Sequence, residues 1–217
     1  MSDKYKLLGS IGMMRAQVNT LGNNTSKKVI AIASSTGGPK ALQSVVPKLP
    51  SNLNAPVLIV QHMPAGFTEA LANRLNSLSD ISVKEASEGD TLEVGRVYLA
   101  QGGRHMNVSK LAGKEVIHYT DEPIREGVRP CANYMYESLA DSSYEEVICV
   151  VLTGMGADGT AGIRNLTAKK KVTVIAQNEQ TCTVYGMPRS VVLAGLADRE
   201  MPLGEIANEI IKNVGVI

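Results

Sequence analysis

From residue 29 onward, short runs of β-branched and aliphatic residues alternate with longer stretches whose apolar positions recur every three or four residues. The short runs carry no polar alternation, so they read as strands buried on both faces. They fall at residues 29–33, 55–61, 146–153 and 172–177, with weaker ones at 81–86 and 96–100. Helical spacing predicts a helix from Pro39 to about Leu49, another over 67–78 on Phe67, Leu71, Leu75 and Leu78, and others at 132–139, 160–169, 188–194 and 203–214. Residues 106–109 and 115–119 flank Gly113 and read as an antiparallel hairpin. This alternation predicts an α/β fold: a doubly wound, mostly parallel sheet flanked by helices, with an antiparallel hairpin at one edge.

The first strand runs into Ser34-Ser35-Thr36-Gly37-Gly38, and Pro39 suits the first turn of the helix that follows. Two roles fit these hydroxyls. They cap the helix, or they stand where free backbone N–H groups and the helix dipole hold a phosphate, a carboxylate or an oxyanion. Two more strand ends carry capable groups, His62 after residues 55–61 and Asp158 in the glycine-rich turn after 146–153. Each has an ordinary alternative, a satisfied strand-end histidine and a turn aspartate. Open α/β sheets bind ligands beyond the carboxyl ends of their strands. There, serine, histidine and aspartate are the parts of a nucleophile, a base and its orienter. His105, after the strand at 96–100, is a second candidate base, and His118 in the hairpin reads as a surface residue.

Composition narrows the classes. The 217 residues are 44% hydrophobic, with no Trp and a single Phe, enough aliphatic material for one substantial core. A net charge of +1 gives no bulk attraction to nucleic acid or an anionic membrane. No apolar run approaches the roughly 20 residues needed to span a bilayer. Cys131, Cys149 and Cys182 are odd in number and widely spaced, as in a reduced cytoplasmic protein and not in a disulfide or zinc framework. A cysteine nucleophile is weakly supported, because neither Cys131 nor Cys182 follows a strong strand. Neither a dinucleotide-binding nor a P-loop pattern occurs, and no spacing supplies three or four metal ligands, so no cofactor and no metal is expected. Residues 1–28 set Lys4, Lys6, Arg15, Lys27 and Lys28 against Asp3 and read as a linker or loosely ordered basic arm ahead of one domain at 29–217.

Five stretches together carry a resemblance: Ala31–Gly38 (AIASSTGG), Gln61–Phe67 (QHMPAGF), Gly103–Met106 (GRHM), Leu152–Gly159 (LTGMGADG) and Tyr185–Pro188 (YGMP). In these motifs the chain resembles the catalytic domain of the chemotaxis protein-glutamate methylesterases, the CheB family. The resemblance implies Ser35 as nucleophile, His62 as base and Asp158 as its orienter, with backbone N–H groups of Thr36 and Met155 as oxyanion donors. It further implies demethylation of γ-glutamyl methyl esters on the cytoplasmic helices of chemoreceptors, a companion glutaminase activity, and a receiver domain in the same or another polypeptide. Ser34 stands where the family usually has alanine, Gln101 where it has proline, and Cys131-Ala132-Asn133 where it has Ser-Val-Asp.

Overall fold

In the computed structural model, which describes residues 27–217, the first apolar run forms β1, Lys28–Ser34. Successive side chains of a strand point to opposite faces. Ile30 and Ile32 accordingly enter one core, and Val29, Ala31 and Ala33 enter another. Seven parallel strands make one sheet in the order β3 (Ser82–Glu85), β4 (Arg96–Leu99), β2 (Val57–Gln61), β1, β7 (Glu146–Val151), β8 (Lys171–Gln177) and β9 (Arg199–Met201). Helices α1 (Gly38–Val45), α2 (Thr68–Leu78) and α6 (Leu203–Val214) cover one face through Leu42, Leu71, Leu75 and Ile210. Helices α3 (Ala132–Ser138), α4 (Thr160–Thr167) and α5 (Met187–Leu193) cover the other through Tyr136, Ile163 and Val191. Each fully buried Ile or Leu is worth about 1.5 to 3 kcal/mol relative to exposure, so these two layers dominate the stability.

The hairpin is present as β5 (His105–Leu111) and β6 (Lys114–Thr120), forming a two-stranded sheet of its own. Its Met106, Val108, Ile117 and Tyr119 pack into the second core. From β1 the chain winds one way to β2 and β4, and from β7 the other way to β8 and β9, so strand order reverses between β1 and β7. Such a switch point opens a crevice beyond the strand ends. The register sets Ala33 level with both Val60 and Val151, which brings the loops after β1, β2 and β7 to one rim.

Two differences from the sequence pattern have physical reasons. Strand β9 shows no apolar run because Arg199 and Glu200 lie exposed at the sheet edge. Helix α2 begins at Thr68, leaving Phe67 61% exposed outside the face that Leu71 and Leu75 bury. Of the basic arm at 1–28, residues 1–26 lie outside the described residues, while Lys28 opens β1 and its ammonium meets Glu146 at 3.1 Å. No helix among the described residues is long and apolar enough to cross a membrane.

Candidate active site

Beyond β1 the backbone turns on Gly37, at φ +81°, a conformation other residues rarely adopt, and α1 starts at Gly38. None of the three hydroxyls caps this helix. Ser34 is fully buried and donates to Gln61 Oε1 over 2.7 Å. The amide of Gln61 then donates to the carbonyls of both Ser35 (3.0 Å) and His62 (3.1 Å), tying two strand ends together through one side chain. A Cβ on Gly38 would fall 1.8 Å from Gln61 Oε1, so only glycine admits this clamp. Ser35 is partly exposed, and its hydroxyl has no hydrogen-bond partner among the described residues.

His62 is anchored by its N–H to Ser34 O (3.0 Å), and its Nε2 lies 2.7 Å from Asp158 Oδ2. Nδ1 has no partner among the described residues. Asp158 is 2% exposed. Its Oδ2 also accepts from Ala132 N (2.6 Å), while Oδ1 accepts from Asn133 N (3.0 Å) and from Cys131 Sγ (3.1 Å). Burial works to raise this carboxyl, but the bonds from His62, Ala132 and Cys131 outweigh it and hold Asp158 below the usual aspartate range. An ionised acceptor facing His62 Nε2 makes that nitrogen the donor and leaves Nδ1 as the basic one.

Two residues past the end of β7 lies Thr153, whose hydroxyl donates to Thr36 O (2.9 Å) and accepts from Val184 N (2.9 Å), joining three loops. Gly154 follows, and a Cβ there would meet Ser35 Cβ at 2.7 Å and Met187 Sδ at 2.4 Å. The backbone N–H groups of Thr36 and Met155 donate to no described residue, and the Met155 side chain stands 75% exposed. Backbone donors without an internal acceptor at a strand-to-helix turn suit a developing oxyanion.

The CheB methylesterase family profile matches residues 30–210. The chain belongs to the CheB methylesterase family. Curated proteins of this family named protein-glutamate methylesterase/protein-glutamine glutaminase include one from Bacillus subtilis, 46% identical over 188 residues, or 86% of this chain. Another, from Pyrococcus horikoshii, is 45% identical over 188 residues, or 87% of this chain. The chain spans about half the length of these relatives, 52% and 51% respectively. Among solved structures, the Thermotoga maritima CheB methylesterase catalytic domain superposes with a TM-score of 0.83 at 41% identity, covering 86% of this chain and 98% of that one.

Against this CheB fold, the remaining candidates fall elsewhere. His105 is fully buried, and its Nε2 accepts from Arg129 Nε (3.2 Å). Burial, followed by the Arg129 charge, pushes this imidazole below its ordinary value, which favours its neutral form, and it makes no hydrogen bond to Asp158 among the described residues. His118 lies half-exposed against Glu88 at 2.8 Å, a surface pair. Burial pushes the Cys182 thiol up to about 11, an environment opposite to that of an activated nucleophile. Among the described residues no group of three or more His, Cys, Asp or Glu is placed to hold a metal.

Sequence reasoning did not single out Gln61, Thr153 or the amides at 132 and 133. A glutamine ending an otherwise apolar buried strand was the available signal for the first. Asn133 likewise proves structural: its Oδ1 accepts from Gly159 N (3.1 Å) and Gly162 N (2.6 Å), capping the start of α4. Gly162 allows this close approach, since a Cβ there would lie 2.7 Å from Asn133 Cα. Asn133→Ala should strand both buried N–H groups and cost about 2 kcal/mol or more, read as a lower urea midpoint with an unchanged slope.

Proposed function

We propose that this chain is the catalytic part of a protein-glutamate methylesterase and protein-glutamine glutaminase working through an acyl-enzyme at Ser35. The observation that carries this reading is the His62–Asp158 pair at 2.7 Å, on the rim where the Gln61 amide ties His62 to Ser35, a strand-end serine whose hydroxyl is uncommitted. His62 Nδ1 takes the Ser35 proton as Oγ attacks the γ-carbonyl of a methylated receptor glutamate. Asp158 fixes the tautomer and stabilises the imidazolium, and the Thr36 and Met155 N–H groups receive the oxyanion. Methanol leaves with the proton from His62. Water, activated by the same imidazole, then frees the glutamate. A glutamine side chain enters the same sequence and releases ammonia.

The substrate is the cytoplasmic helices of methyl-accepting chemoreceptors, which places the enzyme in the cytoplasm. Free Cys131, Cys149 and Cys182 suit that reducing compartment. A receiver domain, in the same or another polypeptide, is the regulatory partner this reading carries. The test is methanol release from a methyl-esterified receptor fragment. Time-dependent methanol at concentrations of enzyme far below substrate is expected. Saturable binding of the fragment or of inorganic phosphate without methanol would overturn it in favour of an anion-binding module at Ser35–Gly38.

A further inference from the structure

Asp158 receives four donors, two on each oxygen. Ala132 and Asn133 donate from the backbone, and any residue but proline at those positions would supply the same N–H. His62 is the group being oriented. Cys131 Sγ, fully buried and 3.1 Å from Oδ1, is thus the one further side-chain donor to this carboxylate among the described residues. We infer that Cys131 is a positioning residue for the reaction: its S–H holds Asp158 against His62 and sets how much of the carboxylate charge reaches the imidazole. This rests on the serine-hydrolase reading given above.

The geometry makes the thiol a donor and nothing else. Burial, together with the Asp158 charge, pushes Cys131 up to about 12, so it stays protonated across the working range. A thiolate there would face a carboxylate at hydrogen-bond distance. As a weak donor, the S–H pins Oδ1 without drawing off much charge, where a hydroxyl would draw off more. The carboxylate therefore keeps a strong pull on the imidazole while losing its freedom to rotate. Two other titratable groups interact with Asp158, His105 at the start of β5 and Tyr136 on α3. Burial pushes the first down and the second well above its ordinary value. Both groups stand unaltered in all the proteins compared, so any charge that His105 takes up toward low pH is common to their limbs.

The order of donor strength at this position, none, thiol, hydroxyl, predicts an order in the acid limb of kcat. Stripping the donor in Cys131→Ala leaves more negative charge facing His62, the imidazole keeps its proton to higher pH, and the limb moves up. Cys131→Ser moves it down. Each shift should be roughly half a pH unit, less than the roughly one to two units that a hydrogen bond made to the imidazole itself would give, because the thiol acts through the carboxylate. In Cys131→Ala the carboxylate, held by three donors in place of four, also lowers the plateau kcat by about tenfold, as expected when a buried charged acceptor loses a partner. KM should stay within about twofold, because the thiol touches no substrate.

The experiment follows p-nitrophenyl acetate hydrolysis by the full chain across pH 5 to 9, roughly the range in which a histidine titrates, for the unaltered protein and both variants, with Ser35→Ala alongside. The expected result is the ordered limb, with Cys131→Ser retaining the plateau. A limb common to all three, or a serine variant that behaves like the alanine one, overturns the proposal, since a merely structural cysteine would alter amplitude without moving the limb. If Cys131→Ala does not fold, the serine variant decides alone: a limb moved to lower pH supports the inference and an unmoved limb overturns it. Full hydrolysis by Ser35→Ala would bring down the serine-hydrolase reading and this inference with it. An inactive Ser35→Ala with unmoved limbs removes the inference alone.

Discussion

Ser35→Ala is expected to cut ester turnover by at least about 10⁵-fold, the scale on which removing a triad nucleophile acts elsewhere, while leaving the fold untouched. The hydroxyl makes no hydrogen bond within the described residues, so its removal strands no partner. The Ser35 backbone does the structural work, donating to Thr153 O at 3.0 Å and accepting from Gly38 N at 2.8 Å, and alanine keeps both bonds. The urea midpoint should therefore move by less than about 0.5 kcal/mol equivalent. Loss of rate with unchanged stability separates a chemical role from a packing one, and methanol release beside a denaturation curve reads both. Turnover near that of the unaltered protein would remove Ser35 from the reaction.

Asp158→Asn should lose about 10⁴-fold in kcat and, unlike Ser35→Ala, should lose stability as well. The four donors around Asp158 converge on two oxygens, and an asparagine offers one oxygen and one NH₂. Whichever way the amide turns, its nitrogen faces donors: His62 Nε2 and Ala132 N on one side, or Cys131 Sγ and Asn133 N on the other. If the NH₂ faces His62, the ring reverses its tautomer and Nδ1 carries the proton it should accept. If it faces Asn133, a buried N–H loses its partner at a cost of about 1 to 3 kcal/mol. A variant with a slow rate and a lowered urea midpoint is the expected outcome. Near-normal turnover would make Asp158 structural.

Much of this arrangement was legible along the chain, because a buried strand writes itself as an unbroken apolar run and a switch-point loop writes itself in Gly, Ser and Asp. Residues 29–33 and 146–153 marked β1 and β7, and the rim at Ser35, His62 and Asp158 followed from their shared position after parallel strands. Strand β9 was illegible because exposed Arg199 and Glu200 erase its apolar signal at the sheet edge. What spacing also hides is which polar groups meet across distant segments. Ser34 and Ser35 are neighbours with interchangeable chemistry in one dimension, and only the Gln61 clamp separates a buried structural hydroxyl from an uncommitted one. The cradle at 131–133 lies 25 to 27 residues before Asp158, and two of its three donors are backbone, which no residue pattern records.

The central claim is that Ser35, and not Ser34, is an activated nucleophile. Intact mass after exposure to a fluorophosphonate, for the unaltered chain, Ser34→Ala and Ser35→Ala, tests it most directly. One adduct per chain on the unaltered protein and on Ser34→Ala, with none on Ser35→Ala, is the result this account predicts. Uptake of the label by Ser35→Ala, or its loss only in Ser34→Ala, would contradict it.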